Sequence, residues 1–132
     1  MSLFSFIENY AEQIGGQYTG YDHTRSVIVV PLNDGRFQTV IIATEPSNLS
    51  GNTRVVFSSK ITNYDPGMNL KELLEASSNF DYSRFILRED QLKVEASCLA
   101  DAATEDEVKF MIQEVASIAD QYEMKLTGKD IH

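Results

Sequence analysis

The stretch LKVEASCLADAATEDEVKFMIQEVASIADQYEMKL, residues 92–126, carries the two patterns from which the fold of this chain follows. It opens as a strand. Leu92, Val94, Ala96 and Cys98 point to one side, while Lys93, Glu95 and Ser97 point to the other, the alternation of a sheet with one buried face. It continues as a helix. Thr104 stands at a cap position with Glu107 three residues on, the spacing of a capping box. Val108, Met111, Ile112, Val115, Ile118, Ala119 and Tyr122 then recur at helical spacing and make one apolar stripe. A strand with one apolar face, continued into a helix with one apolar stripe, is expected to fold those faces together.

Upstream, Leu3, Ile7, Tyr10, Ala11 and Ile14 share one helical face, and Gly15-Gly16 ends the helix because glycine accepts the left-handed geometry after a last turn. Ser2 or Ser5 starts it. Residues 17–25 are polar and aromatic and are read either as the beginning of a strand or as loop. Ser26 to Leu32 and Arg36 to Thr44 are strand-like, and Asn33-Asp34-Gly35 between them tolerates the positive φ that a tight hairpin needs. Thr53 to Thr62 makes a third strand with Val55, Phe57 and Ile61 on one face. Asn69 caps a short helix with Glu72 at its third position, and Leu70, Leu73 and Leu74 give it a small stripe. Tyr82 to Arg88 and Leu92 to Cys98 are the last strands, joined by a Glu89-Asp90 turn. Helices never alternate regularly with single strands, so a doubly wound parallel sheet is not expected. The expectation is one α+β domain over residues 1–132, in two layers, ordered α-β-β-β-α-β-β-α. Its five-stranded sheet is mainly antiparallel, its terminal helices share one face, and residues 127–132 form a frayed tail.

Composition narrows the function. A net charge of −9 disfavours nucleic-acid binding driven by phosphate contacts and suits solubility, or a basic partner. No apolar run approaches the ~20 residues of a membrane span. The first residues lack the basic start and small-residue cleavage site of a signal peptide. With a single cysteine, Cys98, no internal disulfide can form, and a cytoplasmic location is expected.

The strands hold more apolar surface than one helical layer covers. Val27 and Val29 alternate with Ile28 and Val30, and Val40 and Ile42 with Ile41 and Ala43. Val56 and Ile86 oppose the core-facing sets of their own strands. The second sheet face is therefore expected to be covered by the short helix, by a second copy of the chain, or by a segment of another protein. Its candidate surface is Val29, Val40, Ile42, Val56, Arg84, Ile86 and Arg88.

No catalytic constellation can be assembled. His23, between Asp22 and Arg25, is the histidine that stands outside the terminus, and one cysteine with two separated histidines is no zinc set. Glu105-Asp106-Glu107 sits where acids meet a helix N-terminus favourably. No glycine-rich phosphate cradle exists, so no metal and no cofactor is expected. Tyr18, Tyr21, Tyr64, Phe80 and Tyr82 fall at strand ends and loops, which leaves a second reading: a small-ligand-binding or enzymatic domain with a tyrosine-lined pocket near His23.

The element order, the acidity and the amphipathic helix from Thr104 to Met124 together resemble the type III secretion chaperone-like fold, shared by secretion chaperones and YbjN-like bacterial proteins. That resemblance implies a homodimer formed partly through the middle helix, with Leu70, Leu73 and Leu74 near the interface. It also implies an extended client segment held on hydrophobic surface. The first functional expectation is accordingly a non-enzymatic protein-binding domain.

Overall fold

The computed structural model describes residues 2–128. The elements run α1 (Leu3–Gln13), β1 (Gln17–Gly20), β2 (Arg25–Pro31), β3 (Phe37–Pro46), β4 (Thr53–Asn63), α2 (Leu70–Ser77), β5 (Ser83–Arg88), β6 (Gln91–Leu99) and α3 (Glu105–Thr127). The sheet has six strands in the order β1-β2-β3-β4-β6-β5, with every neighbouring pair antiparallel. The α+β class and the helix positions match the sequence reading, but a sheet of five strands does not. Gln17–Gly20 is a strand because it pairs residue for residue with β2, Tyr18 against Ile28. Four residues with mixed polarity carry too little alternation to announce this; the β2 edge supplies the order.

Local signals fix the ends of the elements. Thr104 and Glu107 form the reciprocal capping box at the start of α3, and Gly128 ends that helix in the left-handed conformation. The expected frayed tail lies, from residue 129 onward, outside the described residues. The Asn69 side chain accepts from the Glu72 N–H at the start of α2. Between α1 and β1, Gly16 has no room for a side chain, since a Cβ there would lie 2.2 Å from the Val29 carbonyl oxygen. The chain can therefore turn from helix directly onto the β2 edge.

The helices form one layer. α3 crosses β3, β4, β5 and β6, and α1 lies beside it over β1 and β2. Gln113 Nε2 donates to Tyr10 Oη at 2.8 Å, and Lys109 Nζ stands 5.8 Å from the ring centres of both Phe6 and Tyr10, so the two helices are tied to each other as well as to the sheet. The α3 stripe joins Ile28, Val30, Val40, Ile42, Phe57 and Val94 in a single buried cluster.

This packing corrects two expectations. The sequence expectation puts Val40 and Ile42 on the open sheet face, yet both are 0% exposed and lie beneath the helices. The β2–β3 register opposes Val40 to Ile28 and Ile42 to Ser26, so the outward residues of β3 are Thr39, Ile41 and Ala43. Leu73 is expected at a partner surface, but at 6% exposure it belongs to the core, while Leu74, one residue on, is 66% exposed.

Polar contacts pin the periphery to α3. Arg36 Nε donates to both carboxylate oxygens of Asp120, at 3.1 and 3.2 Å, and so fastens the β2–β3 turn. Glu114 accepts from the Asp81 and Tyr82 N–H groups, both at 2.9 Å, and from the Ser83 hydroxyl at 2.6 Å, fastening the entry to β5. Burial pushes the Glu114 carboxyl up, but the Ser83 hydroxyl and the backbone N–H groups of Asp81, Tyr82 and Ser83 together outweigh it and hold its pKa below the ordinary carboxylate value. A depressed native pKa contributes stability that is present above the unfolded carboxylate pKa and is lost as pH falls through the native one. Glu114→Ala is therefore expected to lower stability near neutral pH by about 1–2 kcal/mol. Urea unfolding should show the difference from the parent shrinking as pH drops below the ordinary glutamate range; a difference independent of pH would refute the charge-assisted clamp.

Candidate docking surface on the open sheet face

With both long helices on one side, the other face of the sheet is left to solvent. Its residues are set by the registers. Val27 stands opposite Ile41, Ile41 opposite Ser58, and Ala43 opposite Val56. At diagonal corners of this face stand the β1–β2 loop and the β5–β6 turn. The turn is tight, with Glu89 and Asp90 at φ of 53° and 60°, the left-handed pair expected of a two-residue hairpin connection. A groove of about 730 Å³ runs between the two corners. Val27, Ile41 and Ala43 make its apolar floor, with Val56 beneath them at 7% exposure, and Tyr21, Arg25, Arg88 and Lys93 stand along its rim with Asp22, Glu45 and Glu89.

Within the same face lies a buried charge. Glu95 points to the open side, as the alternation of β6 requires, yet it is 2% exposed. The stems of two arginines cover it. Arg84 Nη2 donates to Glu95 Oε1 at 2.8 Å, and Arg54 Nη2 lies 3.8 Å from the same oxygen. Arg54 also reaches Glu45 at 3.6 Å. The row Glu45–Arg54–Glu95–Arg84 thus runs across β3, β4, β6 and β5 as a line of alternating charges.

A second, smaller apolar cleft of about 180 Å³ lies where α2 meets the sheet edge. Ser77 Oγ accepts from the Phe85 N–H at 3.1 Å, which satisfies one of the donors that β5 turns away from β6. Leu70, Leu74, Phe85, Ile86, Leu87 and Leu92 line the cleft, with Leu73 at its base.

The residues picked out in the sequence separate accordingly. Val56 and Arg88 meet at the groove; Val29 lies on the same face beyond it; Arg84 sits over Glu95; Ile86, opposite Lys93, shares the open face with Arg84 and Arg88 and also lines the α2 cleft. His23 is exposed in the β1–β2 loop and does not line the groove, although Tyr21 beside it does. Its neighbour Asp22 is held below the ordinary aspartate range by the Thr24 hydroxyl and N–H, both donating at 2.7 Å. That carboxylate serves its own loop. The other aromatics scatter: Tyr82 packs edge-on to Phe110, Phe80 edge-on to Phe85, and Tyr18 packs against the core. Burial, with the charge of Glu107 added, pushes the Cys98 thiol up and makes it a poor nucleophile. Among the described residues, no group of three or more His, Cys, Asp or Glu could hold a metal ion, and no helix is long and apolar enough to cross a membrane. Sequence reasoning missed Ile41 and Ala43 as groove residues, since both phases of β3 are apolar, and it missed Glu95, whose burial only the flanking arginines create.

No protein-family model and no curated protein matches the sequence. Structure is more informative. A chain of the heterodimeric complex ExoU–SpcU, from the type III secretion system of Pseudomonas aeruginosa, superposes with a TM-score of 0.63 at 11% identity; the match covers 93% of this chain and 99% of that one. The chain has a type III secretion chaperone-like fold. In this chaperone-like fold the groove and the α2 cleft lie on different surfaces, one on the open sheet face and one at the β5 edge.

The buried Glu95 makes the open face sensitive to its arginines. Arg84→Met is expected to cost about 2 kcal/mol, because it strips a desolvated carboxylate of its closer partner while water still reaches the half-exposed position. Adding Glu95→Gln to that variant should recover most of the loss. A double variant as unstable as Arg84→Met in denaturant melts would show that arginine packing, and not the pair, supports this region.

Proposed function

We propose that this chain is a non-enzymatic protein-binding domain that works in the manner of secretion chaperones. It acts as a homodimer, with the α2–β5 cleft as the contact between copies, and it holds an extended segment of another protein on the open sheet face. The observation that carries the reading is the groove floored by Val27, Ile41, Ala43 and Val56 on a face that no helix covers. Apolar side chains placed outward on adjacent strands gain little from water and much from a partner, at about 25 cal/mol per Å² removed from solvent. The solved complex of similar fold is itself an assembly of two different proteins. For the contact between copies, the support is Leu74, exposed on α2 beside Leu70, Ile86 and Leu87.

The two surfaces can be tested separately. Leu74→Asp replaces an exposed leucine, so the fold is expected to persist while light scattering shows the mass falling from dimer to monomer. A parent protein that is monomeric at high concentration, or a dimer that tolerates Leu74→Asp, would overturn the α2 contact. Ile41→Asp is expected to leave both fold and mass unchanged and to weaken capture of a protein partner by about tenfold or more, the effect of burying an unpaired carboxylate on an apolar floor. Unaltered capture would remove the sheet face from the account.

A further inference from the structure

On the open sheet face the outward positions of the strands carry more bases than acids, against the charge of the molecule as a whole. The chain is −9 overall, yet Arg25, Arg54, Lys60, Arg84, Arg88 and Lys93 outnumber Glu45 and Glu95 at the outward positions of the strands. Both of those acids are already held by Arg54 and Arg84. Among the described residues, no carboxylate lies within ion-pair distance of Arg25, Lys60, Arg88 or Lys93. Two of these are set against each other. Lys60 and Lys93 are direct cross-strand partners, next to the register shift between Lys60 and Thr62. Like charges directly opposite destabilise a sheet, and bulges recur next to working sites. Lys93 and Arg88 also line the groove, at the end away from Arg25; Glu89 lines it at their end and Asp22 and Glu45 at the other, so the lining itself holds as many acids as bases and the surplus positive charge is that of Lys60, beside the groove and opposite Lys93.

Resting on the docking reading above, we infer that the groove takes an extended segment of a partner protein with a defined order of side chains. Apolar residues lie on the floor of Val27, Ile41, Ala43 and Val56, and a carboxylate follows at the end that Arg88 and Lys93 line, where Lys93 stands opposite Lys60. That carboxylate relieves the repulsion between the two lysines, for which no acid lies within ion-pair distance among the described residues. A second copy docked face to face about a two-fold axis sets this cationic surface against itself. A polyanion such as nucleic acid meets the acid excess carried by the rest of the chain, and an apolar floor offers its phosphates nothing.

The test uses synthetic peptides on the isotope-labelled full chain, followed by nuclear magnetic resonance. The probe is a capped peptide alternating valine and threonine and ending in two aspartates, with matched versions ending in two asparagines or two lysines. The aspartate peptide is expected to shift the amide signals of Ile41, Val56 and Lys93, and to bind about tenfold more tightly than the asparagine peptide. The lysine peptide is expected to bind weakest. In a Lys60→Gln/Lys93→Gln double variant the aspartate preference should vanish, while its melting temperature stays at or above that of the parent because a repulsion has been removed. If aspartate and asparagine peptides bind the groove equally, the charge inference falls and the docking reading stands. If none shifts the groove residues, both fall. A short oligothymidylate that shifts the same residues at lower concentration than the aspartate peptide would overturn the choice of a protein segment, and a double variant that melts below the parent would show that the lysine pair is no source of strain.

Discussion

The packing of α3 across the middle of the sheet places everything else. Its stripe of Val108, Met111, Ile112, Val115 and Ala119 shares one buried cluster with inward residues of β2, β3, β4 and β6. Burial of side chains of this kind is worth about 1.5–3 kcal/mol each, so the face of each strand that carries them is fixed by that gain. Once the inward face is fixed, the outward one is fixed too, because side chains alternate along a strand and a slip of one residue would reverse every position. The peripheral clamps then fasten to the same helix: Asp120 holds the β2–β3 turn through Arg36, and Glu114 holds the entry to β5.

One consequence is a sheet whose two faces meet different surroundings. The helices and the loops carry the acid excess; the open face carries six of the eleven lysines and arginines and an apolar groove. The Glu45–Arg54–Glu95–Arg84 row shows that charge on this face can be buried when it is paired within the sheet. The Lys60–Lys93 pair shows the contrary arrangement, two cations opposed with no acid within ion-pair reach among the described residues. The chaperone-like fold supplies the scaffold for both, but at 11% identity it does not supply the partner, and the chemistry of the groove has to be read from these side chains.

Much of this was legible in the sequence where a local rule had a single answer. Thr104 with Glu107, Asn69 with Glu72, the Asn33-Asp34-Gly35 turn and the alternation of β6 each name one structure. The α+β order and its resemblance to the chaperone-like fold followed from them. What could not be read depended on choices that only tertiary packing makes. β2 and β3 are apolar in both phases, so hydrophobicity could not say whether Val40 and Ile42 or Ile41 and Ala43 face the helices. The register does, and it also turns Gln38 inward, where its side chain reaches Ser59 Oγ at 3.2 Å. Leu73 and Leu74 are adjacent leucines on a short helix, and the sheet edge beside β5 decides which of them is buried. Glu95 reads as a solvated charge until Arg54 and Arg84 are seen to lie over it.

The central claim is that the open sheet face, and not the helical layer, is the working surface. Site-specific photo-crosslinking tests it most directly, with a photoreactive residue placed either at Ile41 on the groove floor or at Phe110 on the exposed side of α3, in cells that make the protein natively. The account predicts a discrete adduct with another protein from position 41 and none from position 110. Adducts from position 110 alone would contradict it.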